Sequence, residues 1–264
     1  MLFRLSPPRR KGLWALACVF GLFSPSYAAG LNDTGITDCW NDSAVDNTTG
    51  VQADSGSHPR QDCRYGRDSQ AAAGKLTKVG GGAKGFDFTK IANNGSELPA
   101  TALLGTNLTD WACTRDNVTG LIWEVKTTSG LRSQSHIYSW YSSNAATNAG
   151  DVGTVSGGTC FAVGRCDTEK FVADVNAVGL CGAIDWRMPG VDDLVSITDI
   201  GRISPAIDPS YFSNTPVSGF WSGQASTYDA FNLSNAMLVN FDYGYTDFSV
   251  KSDAVHVRLV RAGQ

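Results

Sequence analysis

The stretch CGAIDWRMP at residues 181–189, followed by GVDDLVSI, constrains the fold more than any other part of the chain. Pro189 biases Met188 towards extended backbone, so a helix cannot run through this point. Two aspartates directly after the proline, and the helical spacing of the apolar residues that follow them, predict a short helix beyond it. We therefore expect a sharp corner in the core, built around a buried Trp186 together with Arg187 and Pro189.

Residues 1–28 have the organisation of a signal peptide. A basic start is followed by an apolar run over residues 13–23, and small residues stand at positions 26–28, where a signal peptidase would cut. No later segment approaches the roughly 20 apolar residues that a membrane span needs, so we predict no membrane anchor. We expect export by the general secretory route to the periplasm, the cell surface or the extracellular medium.

Loss of this leader removes Cys18 and leaves an even number of cysteines, which in an exported chain predicts disulfides. The pairing is open on the sequence alone. The pairs closest in sequence are Cys39–Cys63 and Cys160–Cys166, which leave Cys113–Cys181 to join distant parts of the chain. No CxxC motif occurs and the three histidines are scattered, so we predict no metal site and no cofactor.

The mature chain is acidic. The leader carries four of the 21 basic residues and none of the 25 acidic ones, so 17 basic residues face 25 acidic residues and the net charge changes from −4 to −8. Such a chain has no general attraction for nucleic acid or for anionic membranes. The basic positions open to a polyanion would be Arg258, Arg261 and Lys251, and we expect carboxylates to pair with them instead.

Two regions follow the leader. Residues 29–108 are rich in Gly, Asn, Asp, Ser and Thr, and we predict an N-terminal extension with one disulfide that packs on the main domain. The alternation of Phe86 and Phe88 predicts a short strand there. We place the main domain at residues 109–264.

The main domain has the patterns of an α+β fold, with two short helices among antiparallel strands. Strands are predicted at 121–125 and 254–261, the latter with Arg258 on its outer face, and a hairpin at 235–242 and 245–250. Asp167 and Gly179 delimit a predicted helix over 169–178. The long insertion at residues 126–159 is either functional or mobile.

Five motifs along this domain resemble a known family in sequence and in order: DNVTGLIWE (116–124), DWRMP (185–189), YF (211–212), FWS (220–222) and VRLVR (257–261). The resemblance is to the family of the C-terminal domain of the Legionella collagen-like adhesin, and it covers about residues 109–264. It implies a disulfide-stapled, C-type-lectin-like fold, distantly similar to formylglycine-generating enzymes. The motifs supply the expected core positions Trp123, Trp186, Arg187, Pro189, Trp221 and Arg261.

This chain departs from the namesake adhesin, because it has no collagen-like Gly-x-y repeat and its mature part is acidic. It also lacks the Glu-Pro-Asn and Gln-Pro-Asp motifs through which C-type lectins bind sugars with calcium. The resemblance still implies adhesion at a bacterial surface. The trimers of the namesake adhesin imply that self-association is worth testing.

Function is predicted from what the motifs include and omit. No Gly-x-Ser-x-Gly, His-Glu-x-x-His or phosphate-loop motif occurs, so we predict a protein that is not an enzyme. Aromatic residues in polar loops favour binding of a glycan or a protein partner. The candidate ligand-binding residues are Trp140, Tyr141, Tyr228, Asp242, Tyr243 and Tyr245. The alternatives are a structural subunit of the envelope or of a surface assembly, or an enzyme of the formylglycine-generating type.

Overall fold

The computed structural model describes residues 32–40, 60–227 and 233–263. The signal peptide predicted at residues 1–28 lies outside this range. The described residues form four short helices: α1 (Asp62–Tyr65), α2 (Arg67–Ala72), α3 (Thr168–Val178) and α4 (Val191–Ser196). None of these helices could cross a bilayer, because each is too short.

The same residues form eight strands in two antiparallel sheets. The strands are β1 (Phe88–Ala92), β2 (Glu97–Leu98), β3 (Trp111–Asp116), β4 (Leu121–Glu124), β5 (Gly219–Ala225), β6 (Asn235–Asn240), β7 (Tyr245–Val250) and β8 (Val260–Ala262). One sheet has the order β2-β1-β3-β4-β8 and the other β5-β6-β7. The α+β class with antiparallel strands and few short helices is confirmed. The extension contributes β1 and β2 to the larger sheet.

Local signals in the sequence define α3 and α4. The Asp167 carboxylate accepts a hydrogen bond from the Lys170 backbone at 2.9 Å and caps α3, which ends at Gly179 with φ of 64°. At α4 the N-cap is Gly190, which has no side chain to accept a bond. Its own N–H instead donates to the Asp193 carboxylate at 2.8 Å. Both predicted helices are therefore present.

The predicted hairpin is also confirmed, as β6 and β7. Strand β6 lies between β5 and β7, with Trp221 opposite Leu238 and Met237 opposite Phe248. The turn between the strands includes Gly244, whose φ of 81° favours glycine. Strand β7 is the outer strand of this sheet and is largely exposed.

Large aromatic side chains fill the core. Trp186 and Trp221 belong to one buried cluster, and Trp123 belongs to a second that includes Phe86 and Phe88 from the extension. Pro189 and Arg261 are buried as well.

The prediction that Arg187 is part of this core is wrong. Its side chain is half exposed, and its guanidinium lies 2.8 Å from the Asp193 carboxylate. The positive charge of Arg187 is paired with Asp193 in the first turn of α4 at the surface, so the guanidinium does not need a partner inside the core.

Three disulfides connect the described cysteines, in the predicted pairs Cys39–Cys63, Cys113–Cys181 and Cys160–Cys166. The second of these joins β3 to the turn after α3, across 68 residues of sequence. It fastens the larger sheet to the segment that leads into the Trp186 corner.

The predicted final strand over 254–261 is wrong in extent and in facing. Only Val260–Ala262 joins the larger sheet, as β8. The residues before it run between other elements, where Val255 bridges to Tyr138 and His256 bridges to Phe220. Because protein lies on both sides, Arg258 is buried like its apolar neighbours and does not face solvent.

Candidate binding groove

The Trp140 side chain is buried in the core, so the prediction that its ring stacks on a ligand is wrong, although the residue is part of the lining of the groove described below. It is 1% exposed, and its indole N–H donates to the Ser222 carbonyl at 2.8 Å. The ammonium of Lys251 lies 4.7 Å from the ring centroid. The ring thus supports the loop around it and offers no open face on which a ligand could stack.

The tip of the β6–β7 hairpin carries three of the other candidates. Tyr243 and Tyr245 are 57% and 46% exposed, and Asp242 accepts a hydrogen bond from the Ser204 hydroxyl at 2.6 Å. Tyr228 lies outside the described residues. Tyr141 lines a groove to which none of the hairpin residues contributes. The described candidates therefore belong to two separate places.

The groove around Tyr141 lies between the insertion, the start of α3 and the Trp186 corner, and encloses about 450 Å³. Its lining combines polar, charged and apolar side chains: Tyr141, Asn144, Thr147, Glu169, Val172, Arg187 and Met188. A second depression of about 810 Å³ adjoins it, since Thr147 and Gly223 line both. Gln224 and Met237 are among the residues that continue the lining there.

Hydrogen bonds to α3 hold one wall of the groove. The Tyr141 N–H donates to the Thr168 hydroxyl at 2.9 Å, and that hydroxyl donates back to the Tyr141 carbonyl at 2.8 Å. The backbone N–H and the hydroxyl of Ser143 both donate to the Glu169 carboxylate, at 2.7 and 2.8 Å. The wall is therefore ordered without a ligand, which reduces the entropy lost on binding.

A buried lysine holds the far side of the insertion. The Lys251 ammonium donates to the carbonyls of Asn148, Asp151 and Leu233 at 2.9, 2.6 and 2.7 Å. Burial lowers the pKa of Lys251, and the nearby Asp151 opposes this effect. These contacts hold the insertion against the rest of the protein, which argues against the expectation that it is mobile.

Two glycines bring backbone segments together beside the groove. Gly153 has φ of 84°, and a Cβ there would lie 2.2 Å from the Trp140 carbonyl oxygen. A Cβ on Gly223 would lie 2.9 Å from the Cβ of Met188. Both positions exclude residues larger than glycine. A Cβ there would clash with a backbone atom or with the Cβ of another residue, and neither can move aside as the end of a flexible side chain could.

The charges of the groove are mixed. Glu169 is exposed but bonded to Ser143, and Arg187 is paired with Asp193. The groove thus presents no concentrated charge of one sign, and the side chains able to contact a ligand are largely neutral.

The most strongly perturbed ionisable groups lie elsewhere. Lys126 and Glu124 form a buried pair at 2.8 Å, and burial lowers the pKa of Lys126. Burial also lowers the pKa of His256 to about 4 and that of Arg258 to about 10. None of these side chains lines the groove, so they serve the core and not a reaction there.

The basic positions considered for a polyanion are all buried. The Arg258 guanidinium donates to the Thr215 hydroxyl at 2.6 Å and lies among phenylalanine rings, 5.0 Å from that of Phe212. Arg261 pairs with Asp185 at 2.6 Å, as expected. Lys251 and Arg258 find carbonyl, hydroxyl and aromatic partners where we expected carboxylates. These three residues do not form a basic surface.

The model of the Lcl C-terminal domain family matches residues 112–261, more than half of the chain. The chain belongs to this family. Membership relates it to surface adhesin domains and confirms the resemblance drawn from the five motifs. No curated protein and no solved structure matches the chain.

Proposed function

We propose that this member of the Lcl C-terminal domain family is an exported, non-catalytic module that binds a neutral glycan at the bacterial cell surface. The observation that carries the proposal is the preformed groove beside Tyr141, whose wall is held by reciprocal hydrogen bonds with Thr168. Family membership supports the surface location. A protein partner in the same groove is the alternative.

The chemistry of the lining favours a sugar. A partly exposed tyrosine ring offers a rigid face for stacking on a pyranose, at little cost in side-chain entropy. Asn144, Thr147 and Gln224 offer amides and hydroxyls to the ligand hydroxyls, while Val172 and Met188 provide an apolar floor. Pockets with an apolar floor and a few polar groups are typical of small-molecule sites. The paired charges favour a neutral ligand over an acidic one.

The non-catalytic role and the finer fold class belong to the same proposal. The described lining of the groove includes no histidine or cysteine, and its one carboxylate, Glu169, is engaged by Ser143, which supports a binding function. We assign the chain a C-type-lectin-like arrangement, supported by its two antiparallel sheets, its two main-domain helices and the long ordered insertion that forms the groove wall.

A binding screen with matched variants tests the site. The mature protein is applied to an array of neutral and acidic glycans at low and physiological salt, with Tyr141→Ala and Tyr243→Ala compared by calorimetry on any glycan found. We expect a neutral glycan whose binding changes little with salt, is lost with Tyr141→Ala, and survives Tyr243→Ala. Loss with Tyr243→Ala alone would move the site to the hairpin tip.

A second candidate function is a structural role in a surface assembly. Strand β7 is the outer strand of its sheet and exposes Tyr245, Phe248 and Val250, and an exposed edge strand is a template for pairing with another chain. Sedimentation of the mature protein, and of a Val250→Lys variant, tests this. An oligomer that dissociates in the variant, together with an empty glycan screen, would favour assembly over glycan binding.

A further inference from the structure

Three aspartates meet where the extension packs on the rest of the protein. Asp33 lies in the first described segment, and Asp62 and Asp68 lie in the first turns of α1 and α2. One carboxylate oxygen from each lies within 4.8 Å of the other two. The fold thus brings Asp33 next to two aspartates that lie about thirty residues further along the chain.

Two of these carboxylates lack the hydrogen-bond donors that buried acids normally have. Asp68 is 4% exposed, and among the described residues no N–H or hydroxyl group donates to its side-chain oxygens, whose neighbour is the Asp33 carboxyl group. Asp33 is 5% exposed, and one of its oxygens is likewise without a partner, while the other accepts the Gly85 N–H. Buried polar groups are nearly always satisfied, and an unsatisfied buried carboxylate is especially costly.

The nearest basic side chains are engaged elsewhere. Lys84 donates to the Gly35 carbonyl and pairs with Asp199 at 3.0 Å. The Arg67 Nε–H donates to the Gly85 carbonyl at 2.9 Å. Neither forms an ion pair with Asp33 or Asp68, although Lys84 is close enough to act electrostatically on Asp68, so the described side chains compensate the three carboxylates only in part.

We propose that Asp33, Asp62 and Asp68 bind a calcium ion. Ca²⁺ takes carboxylate oxygens at about 2.3–2.6 Å, so two ligands on opposite sides of it are separated by up to about 5 Å. The separations within this cluster fit that limit. Mg²⁺, at about 2.0–2.1 Å, requires a tighter cage. Zinc is disfavoured, because the cluster contains neither histidine nor cysteine.

Calcium in this position would fasten three segments of the extension to one another, next to the place where the extension contacts the main domain. Asp62 accepts a hydrogen bond from the Thr34 hydroxyl at 2.5 Å, and the Thr34 carbonyl accepts one from the Ile200 backbone at 2.8 Å. The ion would link the first described segment, α1 and α2, close in sequence to the Cys39–Cys63 disulfide. Extracellular calcium modules bind in the range of about 0.1–1 mM, which suits an exported protein.

Calorimetric titration and thermal unfolding of the mature protein test the proposal. We expect one Ca²⁺ per chain and a midpoint about 3–8 °C higher in 10 mM CaCl₂ than in EGTA, with a smaller effect of MgCl₂. Limited proteolysis should show cleavage before residue 85 in EGTA and protection in calcium. No heat of binding and equal midpoints in both conditions would overturn the proposal.

Two variants separate ligation from structure. Asp68→Asn should lose the calcium-dependent rise, yet be at least as stable as wild type in EGTA, because it removes an uncompensated charge. Asp192→Asn, an exposed residue of α4, should keep the full rise. If Asp68→Asn still responds to calcium as wild type does, the ligand assignment is wrong. If that variant does not fold, the wild-type titration decides.

Discussion

Replacing both cysteines of the Cys113–Cys181 disulfide with alanine tests how the larger sheet is held to the Trp186 corner. The bond closes a sequence separation of 68 residues, and the loop-closure entropy released in the unfolded chain corresponds to about 4 kcal/mol of lost stability. Both cysteines are buried in the core, so truncation to alanine adds roughly 1 kcal/mol for lost packing. We expect a total loss of about 4–5 kcal/mol.

The Cys160–Cys166 disulfide provides a matched control. Its separation is only 6 residues, for which the same argument predicts a loss of about 2 kcal/mol. Urea unfolding followed by tryptophan fluorescence should give the double-alanine variants free energies that differ by about 2–3 kcal/mol. The long-range variant should also have the larger m-value, because its unfolded chain expands further.

Equal losses in the two variants would refute the argument from loop length. Non-reducing peptide mapping of the wild-type protein is the necessary companion measurement. A free thiol at either Cys113 or Cys181 would show that the long-range bond does not form, whatever the stabilities of the variants.

Three further predictions concern the core, the surface charge and pH. Trp186→Ala should destabilise the protein by about 3–5 kcal/mol, because the ring is buried and its N–H donates to the Leu180 carbonyl. If the variant is as stable as the wild-type protein but fails to bind ligand, the structural role of Trp186 is wrong. Heparin should not retain the mature protein at physiological salt, because its net charge is −8 and Arg258, Arg261 and Lys251 are buried. Tight retention would show that other basic residues form a polyanion site. Burial lowers the pKa of His256 to about 4 in the folded protein, so on acidification the histidine of the unfolded chain is protonated before that of the folded chain. The free energy of unfolding should therefore fall as the pH drops from about 6.5 towards 4. We expect a loss of about 1–2 kcal/mol after allowance for the partial exposure of the ring. His256→Asn, whose amide can keep the bond to the His136 carbonyl, should show a smaller loss in urea unfolding between pH 7 and pH 4.5.

Elements with local signals were predicted well from the sequence. Helix α3 has a capping aspartate and a terminal glycine, and the β6–β7 hairpin surrounds a turn with glycine at its end. The corner before α4 is set by Pro189. In each case the signal is a backbone preference of a few neighbouring residues, which acts before any tertiary contact forms.

Elements defined by tertiary burial were predicted less well. Strand β3 was not predicted, because it is buried on both faces and its sequence does not alternate. The alternation of the predicted last strand places Arg258 on its outer face, whereas phenylalanine rings and Thr215 bury it. Trp140 was placed in a binding loop, and the loop folds back so that its ring joins the core.

The two candidate sites also differ in how far the sequence alone could predict them. Tyr141 was predicted because an aromatic residue in a polar loop is itself a local signal. The three aspartates of the proposed calcium site lie within 4.8 Å of one another only because segments separated by about thirty residues pack together. No spacing rule of the kind that identifies an EF-hand loop connects them.

The larger sheet shows how the extension and the family domain depend on each other. The family match begins at residue 112, inside β3, and β3 pairs on one side with β1 of the extension and on the other with β4. Without β1, one edge of β3 would lose its partner, and an unpaired edge strand is a site of association between chains. The Phe88 ring would also leave the cluster in which it packs edge-on against Phe212, at 5.2 Å between ring centroids. The boundary predicted at residue 109 therefore divides the sequence at a change of composition, whereas the hydrogen bonds and the core continue across it.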